Sequence, residues 1–172
     1  PLPTQKDRVD LSRIINELLE SFRERFPAIS FQSNLESIQV LGEKALMKKA
    51  FHNLFLNSVQ ALEESKLKSE KIVEITMERP TGSIVVVRIS DNGPGMDSRT
   101  LSRIFTPFIT TRAHGTGLGL AVVQKIISTM GGSIEVWSEP GKGFSSKVAF
   151  PAEPTPSTSA YSRPGAEADE SR

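Results

Sequence analysis

The stretch that decides the fold is Ile84-Val-Val-Val-Arg-Ile-Ser-Asp91-Asn-Gly-Pro-Gly-Met96. β-Branched residues crowd positions 83–90, which predicts a strand, and the unbroken run Ile84 to Val87 predicts one buried on both faces. Asp91 to Met96 then forms a Gly/Pro turn at the strand's carboxyl end. Upstream, Val73, Ile75 and Met77 alternate, so 71–78 predicts a neighbouring strand joined through a Thr81-Gly82 turn. Downstream, a short helix is expected over 98–104 and a long loop over 105–116. A further helix is expected over 118–130, stopped by Gly131-Gly132. Residues 133–138 and 144–150 predict a hairpin across Glu139-Pro-Gly-Lys-Gly143.

The amino-terminal half is helical. Leu11, Ile14, Ile15, Leu18, Leu19 and Phe22 recur at helical spacing, with Asp10 as N-cap and Pro27 as the stop. Ile29 and Phe31 alternate as a short strand. A second helix is expected over 43–64, with Leu46, Ala50, Leu54 and Ala61 helically spaced. Grouped strands and grouped helices predict an α+β fold of two layers, one sheet with one helical face.

Composition excludes much else. The 172 residues suffice for one cored domain, and the zero cysteines exclude disulfides, thiolate catalysis and a Cys-based zinc site. Two histidines, His52 and His114, exclude a His-rich metal site. A net charge of +1 gives no nucleic-acid footprint. No apolar run is long enough to span a bilayer, and no signal peptide is expected. Pro1 stands where Met would open a complete protein, so a piece of a longer chain is expected. Residues 151–172 lack Val, Ile, Leu, Met, Phe and Trp and carry four prolines. They are expected to be a disordered tail or linker, with 1–150 as the folded unit.

Four segments carry possible chemistry. His114-Gly115-Thr116-Gly117-Leu118-Gly119-Leu120 opens a helix. Its glycines allow close backbone approach, so it reads either as a phosphate cradle or as a glycine hinge in a flexible loop. It is neither a dinucleotide fingerprint nor a P-loop, since no strand feeds it and no Gly-Lys-Ser/Thr follows. Asp91, at a strand end beside Gly93-Pro94-Gly95-Met96, offers an acceptor for the exocyclic amine of adenine, or else makes an ordinary Asx turn. Asn53 and Asn57 share one helix face, where an amide oxygen suits Mg²⁺ and where a solvated face is the alternative. Phe105-Thr-Pro-Phe-Ile-Thr110-Thr111-Arg112 reads as a lid whose hydroxyls and charge meet a phosphate, or as a loop packed on the core.

In order, NLFLN, DNGPGM, IFTPFITTR and GTGLGL resemble the N, G1, F and G2 boxes of bacterial sensor histidine kinases. The unit resembles their catalytic ATP-binding domain, of the Bergerat or GHKL superfamily, over residues 8–150. The spelling PFITTRAHGTGLGLAVVQKII is most similar to nitrogen-regulation-type kinases. The resemblance implies a mixed sheet covered on one face by three helices. It implies Asn57 as the Mg²⁺ ligand, Asn53 facing the phosphates, and Asp91 as adenine reader above a floor of Gly93, Gly95 and Met96. It implies Thr110, Thr111 and Arg112 in the lid, with Asn53 and Arg112 serving transfer. Gly115, Thr116, Gly117, Leu118, Gly119 and Leu120 match the second glycine box, and Ser145 a hydroxyl residue supporting the carboxylate. Gln60 and Ala61 stand where many members carry Lys and Tyr, so a cation and a stacking ring are missing from the helix.

The implied activity is transfer of the γ-phosphoryl of Mg-ATP to a histidine on a dimerisation helix absent from this chain. Neither His52 nor His114 has an acceptor context. A response regulator is the implied downstream partner, the chain alone is expected to be a monomer, and a cytoplasmic location is expected, the parent being membrane-anchored or not. The alternatives are a nucleotide-binding module without catalysis and a Bergerat-type ATPase, the latter disfavoured by Asn53.

Overall fold

The computed structural model describes residues 7–66, 69–107 and 119–152. Helix α1, Leu11–Arg25, buries all six apolar residues of the predicted stripe. Asp10 caps it, its Oδ1 accepting from Arg13 N at 3.2 Å and from Ser12 Oγ at 2.6 Å. Helix α2, Lys44–Glu64, turns Met47, Ala50, Phe51, Leu54, Phe55, Ser58, Val59 and Leu62 inward. Leu46 and Ala61 stand at the margin of that stripe, half-buried, as do Asn53 and Asn57. The two helices meet through Phe22 and Phe55, edge to face at 5.5 Å, and through Phe22 and His52 at 5.4 Å. His52 is thus a packing residue.

Strands β2 (Ile29–Leu35), β4 (Lys71–Thr81), β5 (Ile84–Asp91), β6 (Ser133–Ser138) and β7 (Phe144–Pro151) form one sheet in the order β2-β4-β5-β7-β6. β2 and β4 are parallel, α2 serving in the crossover, and the other pairs are antiparallel. The sheet is therefore mixed, and α1, α2 and α4 (Gly119–Thr129) bury its inner face, as the α+β reading expected. Helix α3, Ser98–Leu101, is a single turn, shorter than expected.

Three expectations require correction. β5 is only partly buried on its outer face: Val85, Val87, Ile89 and Asp91 face the helices and Val86 is buried on the other side, but Ile84 and Arg88 are exposed. The aliphatic run hides this alternation because Ile84 and Val86 belong to the outer face. A second, two-stranded sheet pairs β1 (Asp7–Asp10) with β3 (Gln39–Gly42). Each strand has four residues, too short to show a period, and the pairing joins segments far apart in sequence. Finally, sheet structure continues past residue 150: Ala152 bridges Val40 and donates its N–H to Ser83 O at 2.8 Å. The remainder of the expected tail lies outside the described residues.

The exit of α4 is a Schellman motif. Gly132 N bonds Ile127 O at 2.9 Å, Gly131 N bonds Ser128 O at 3.0 Å, and Gly131 holds φ +78°. Gly132 is close-packed too, since a Cβ there would lie 2.5 Å from Ala149 O.

Candidate nucleotide site

Asp91 ends β5 directly opposite Phe144, the first residue of β7. Its side chain is buried. Oδ1 accepts from Gly93 N at 3.0 Å and from Phe144 N at 3.3 Å, so two backbone amides orient the carboxylate. The turn that follows is locked on both sides. Asn92 Oδ1 accepts from Ile72 N at 2.8 Å and its Nδ2 donates to Glu70 O at 2.7 Å, tying the turn to the start of β4. Met96 N donates to Ser138 Oγ at 3.0 Å, and that hydroxyl donates to Gly143 O at 2.7 Å.

The β6–β7 turn sits on the Asp91–Met96 turn. Gly141 N donates to Pro94 O at 2.7 Å. Gly95 holds φ +66°, and a Cβ there would lie 2.0 Å from Glu139 O. Gly143 holds φ +79°, and its Cβ would lie 1.8 Å from Asp91 O. Both positions demand glycine on conformation and on space. Asp97 caps α3 by accepting from Thr100 N at 2.8 Å, which holds its carboxyl below the usual range.

The carboxylate connects to α2 through Gly93. A Cβ on Gly93 would lie 2.8 Å from Asp91 Oδ1, 3.6 Å from Ala61 Cβ and 3.7 Å from Leu62 Cδ2. One turn of α2 separates Ala61 from Asn57, and another separates Asn57 from Asn53. Gly119, the first residue of α4, faces both amides: a Cβ there would lie 3.8 Å from Asn53 Oδ1, from Asn57 Nδ2 and from Asn57 Oδ1. Asn53 Nδ2 donates to Lys49 O at 3.0 Å. Asp91, Gly93, Asn57, Asn53 and Gly119 therefore line one side of α2.

Leu120 is half-buried against the core. Ser145 is not brought to this face. It pairs with Ser90, hydroxyl to hydroxyl at 2.8 Å, on the outer side of the sheet, because strand alternation puts it out of phase with Asp91. Ser146, buried and in phase with Asp91, is the hydroxyl on the inner side, with its Oγ 3.4 Å from Ile89 O. Thr110, Thr111, Arg112, Gly115, Thr116, Gly117 and Leu118 lie outside the described residues. Sequence reasoning missed Phe144 N, Ser138, Asn92 and Gly143. For Gly143 the signal was present in Gly141-Lys-Gly143, read only as a hairpin loop. A backbone amide leaves no such trace.

The sequence profile of the family described as histidine kinase-, DNA gyrase B- and HSP90-like ATPase matches residues 42–154. The chain belongs to that family. Its relatives within this family include sensor histidine kinases. ZraS of Klebsiella oxytoca is 33% identical over 147 residues, which cover 83% of this chain and 31% of that protein. Nitrogen regulation protein NtrY of Azorhizobium caulinodans is 31% identical over 151 residues, covering 86% of this chain and 20% of NtrY. The chain thus spans a third or less of the length of these curated relatives. The catalytic domain of histidine kinase ThkA superposes with a TM-score of 0.75 at 27% identity, covering 88% of this chain and 98% of that one. Full-length ShkA in complex with AMPPNP gives 0.74 at 25% identity, covering 88% and 32%. The fold of this ATPase-family chain is accordingly the Bergerat α+β fold of histidine kinase catalytic domains. Among the described residues no helix is long and apolar enough to cross a membrane.

Proposed function

We propose that this chain is the ATP-binding catalytic unit of a two-component sensor histidine kinase. It binds Mg-ATP and passes the γ-phosphoryl group to a histidine on a dimerisation helix that this chain does not contain. The observation that carries the reading is the line of Asp91, Asn57, Asn53 and Gly119 along α2, with a buried acceptor at one end and two neutral amides at the glycine-led start of α4. A purine amine suits the carboxylate, and a phosphate chain suits the amides and the helix start.

The donor set fits magnesium. Among the described residues no group of three His, Cys, Asp or Glu side chains could hold a metal. An ion here would take one amide oxygen from Asn57 and fill its other positions with phosphate oxygens and water. When bound, Mg²⁺ neutralises charge on the β- and γ-phosphates. The protein positions. Asp91 accepts from the adenine amine, its own orientation held by Gly93 N and Phe144 N. In this reading Thr110, Thr111, Arg112 and the glycine-rich segment 115–120 supply further phosphate contacts, and Gly119 faces Asn53 and Asn57.

Asn53 decides the acceptor. An amide cannot take a proton, so it cannot activate water or a serine hydroxyl as a carboxylate would. A neutral imidazole already has a lone pair. It attacks the γ-phosphorus, the bond from phosphorus to the bridging β,γ-oxygen breaks, ADP leaves, and the proton on the other ring nitrogen passes to solvent. In this reading the chain is monomeric by itself, works in the cytoplasm, and feeds a response regulator through the phosphorylated helix. The test is transfer in trans. The chain is mixed with Mg-[γ-³²P]ATP and a histidine-containing helical hairpin from a related kinase, and acid-labile, base-stable phosphate is counted on the hairpin. Label on the hairpin is expected. Nucleotide binding without label would make the chain a binding module instead, and phosphate release without label would make it an ATPase.

A further inference from the structure

The candidate site has a direction along α2. Its carboxylate end lies beside Ala61 and Leu62, and its amide end lies at Asn57 and Asn53. Continuing one turn further toward the helix start reaches Lys49, at i, i+4 from Asn53 and so its neighbour on the helix surface. From Ala61 to Lys49 the helix rises about 18 Å, enough to run beside an extended nucleoside triphosphate from base to last phosphate. The Lys49 backbone carbonyl accepts from Asn53 Nδ2 at 3.0 Å, which fixes the Asn53 amide over the Lys49 turn.

Among the described residues the Lys49 charge has no ionic partner. Lys44 and Lys48, its neighbours on α2, both reach Glu17 of α1, at 3.7 and 3.2 Å. Lys49 is exposed and makes no ion pair among the described residues. The polar side chains next in this row, Asn53 and Asn57, are neutral amides, and position 60, about three turns nearer the base end, is Gln60 rather than a cation. A triphosphate brings several negative charges to this line.

We infer that Lys49 is the α2 cation for the terminal phosphoryl group, contacting the γ-phosphate and so distinguishing ATP from ADP. The inference rests on the ATP-binding reading above and adds to it a discriminating residue. An ammonium on a four-carbon stem needs no fixed geometry to serve this role.

The experiment is calorimetric titration of the 172-residue chain with a Mg-bound non-hydrolysable ATP analogue and with Mg-ADP. The chains compared are wild type, Lys49→Met, Lys49→Arg and, as control, Lys48→Met. Loss of one charge-assisted contact is expected to weaken the triphosphate about tenfold in Lys49→Met and ADP by no more than about twofold. Lys49→Arg is expected to restore most of the difference, and Lys48→Met to match wild type with both ligands. Wild-type affinity for the triphosphate in Lys49→Met, or equal losses for both nucleotides, would overturn the role of Lys49 while leaving the ATP site standing. If wild type binds neither nucleotide, the ATP reading itself falls and takes this inference with it.

Discussion

Asp91 and Phe144 face each other across the β5–β7 ladder, and the Phe144 N–H donates to Asp91 Oδ1 at 3.3 Å. The carboxylate that closes one strand is thus aimed by the first amide of the next. Gly93 N adds a second donor to the same oxygen at 3.0 Å. Asn can accept both bonds through its carbonyl oxygen, but its NH₂ cannot accept from a purine amine. Asp91→Asn is therefore expected to keep the thermal midpoint within a few degrees while lowering nucleotide affinity by about 1–3 kcal/mol. Calorimetry with ADP, paired with a thermal melt, checks both halves. Unchanged affinity would remove Asp91 from the base pocket.

Asn53 offers a test of reaction class. Its amide oxygen faces Gly119 and its Nδ2 donates to Lys49 O. Asn53→Glu loses that donor but supplies a carboxylate able to take a proton from water. Hydrolysis of ATP by the isolated chain is expected to rise, by about tenfold or more, while transfer to a histidine hairpin falls. Colorimetric phosphate release measures the first effect. Turnover at or below the wild-type level would count against the amide as the feature that suppresses hydrolysis.

The glycines of the β6–β7 turn separate conformation from contact. Gly141 and Gly143 both hold positive φ, +78° and +79°. Nothing lies within 4 Å of a Cβ on Gly141, whereas one on Gly143 would meet Asp91 O at 1.8 Å. Gly141→Ala is expected to cost about 1–2 kcal/mol, the price of left-handed backbone alone. Gly143→Ala is expected to cost roughly 3 kcal/mol or more and to weaken nucleotide binding, because Asp91 must move. Urea denaturation of the two variants side by side settles the comparison, and equal midpoints would refute the packing of one turn upon the other.

Glu17 links α1 to α2 through Lys48 at 3.2 Å, with Lys44 at 3.7 Å and Arg13 at 3.3 Å nearby. The hydrogen bond from Lys48, followed by the charge of Lys44, holds its carboxyl below its ordinary value near 4.5. A depressed folded value means that stability is present above the unfolded pKa and is lost as pH falls through the folded one. Glu17→Gln is thus expected to differ slightly from wild type at neutral pH and to converge with it in acid below about pH 4. High salt is expected to narrow the gap at neutral pH, since these charges are solvent-exposed. Denaturation midpoints across pH, at low and high salt, provide the check.

Some of this was legible in the chain alone. The α1 stripe, the α2 helix, the two central strands and the hairpin follow from period and turn residues, because local sterics and one-sided burial write themselves into residue order. The Asp91 turn, the two asparagines and the glycine-rich segment likewise stood out, since each needs an unusual residue type at a fixed spacing. What the chain could not disclose is what depends on partners distant in sequence. β1 and β3 are too short to carry a period and exist only because Val40 finds Val9 and Ala152. The outward Ile84 was hidden in an aliphatic run, since only pairing reveals phase. Ser145 was misassigned for the same reason: a strand's two faces differ by one residue, and the β5–β7 register alone decides that Ser146, not Ser145, shares a side with Asp91. Residue identity determined which chemistry was available here. Register and packing, which no single segment encodes, decided which groups meet.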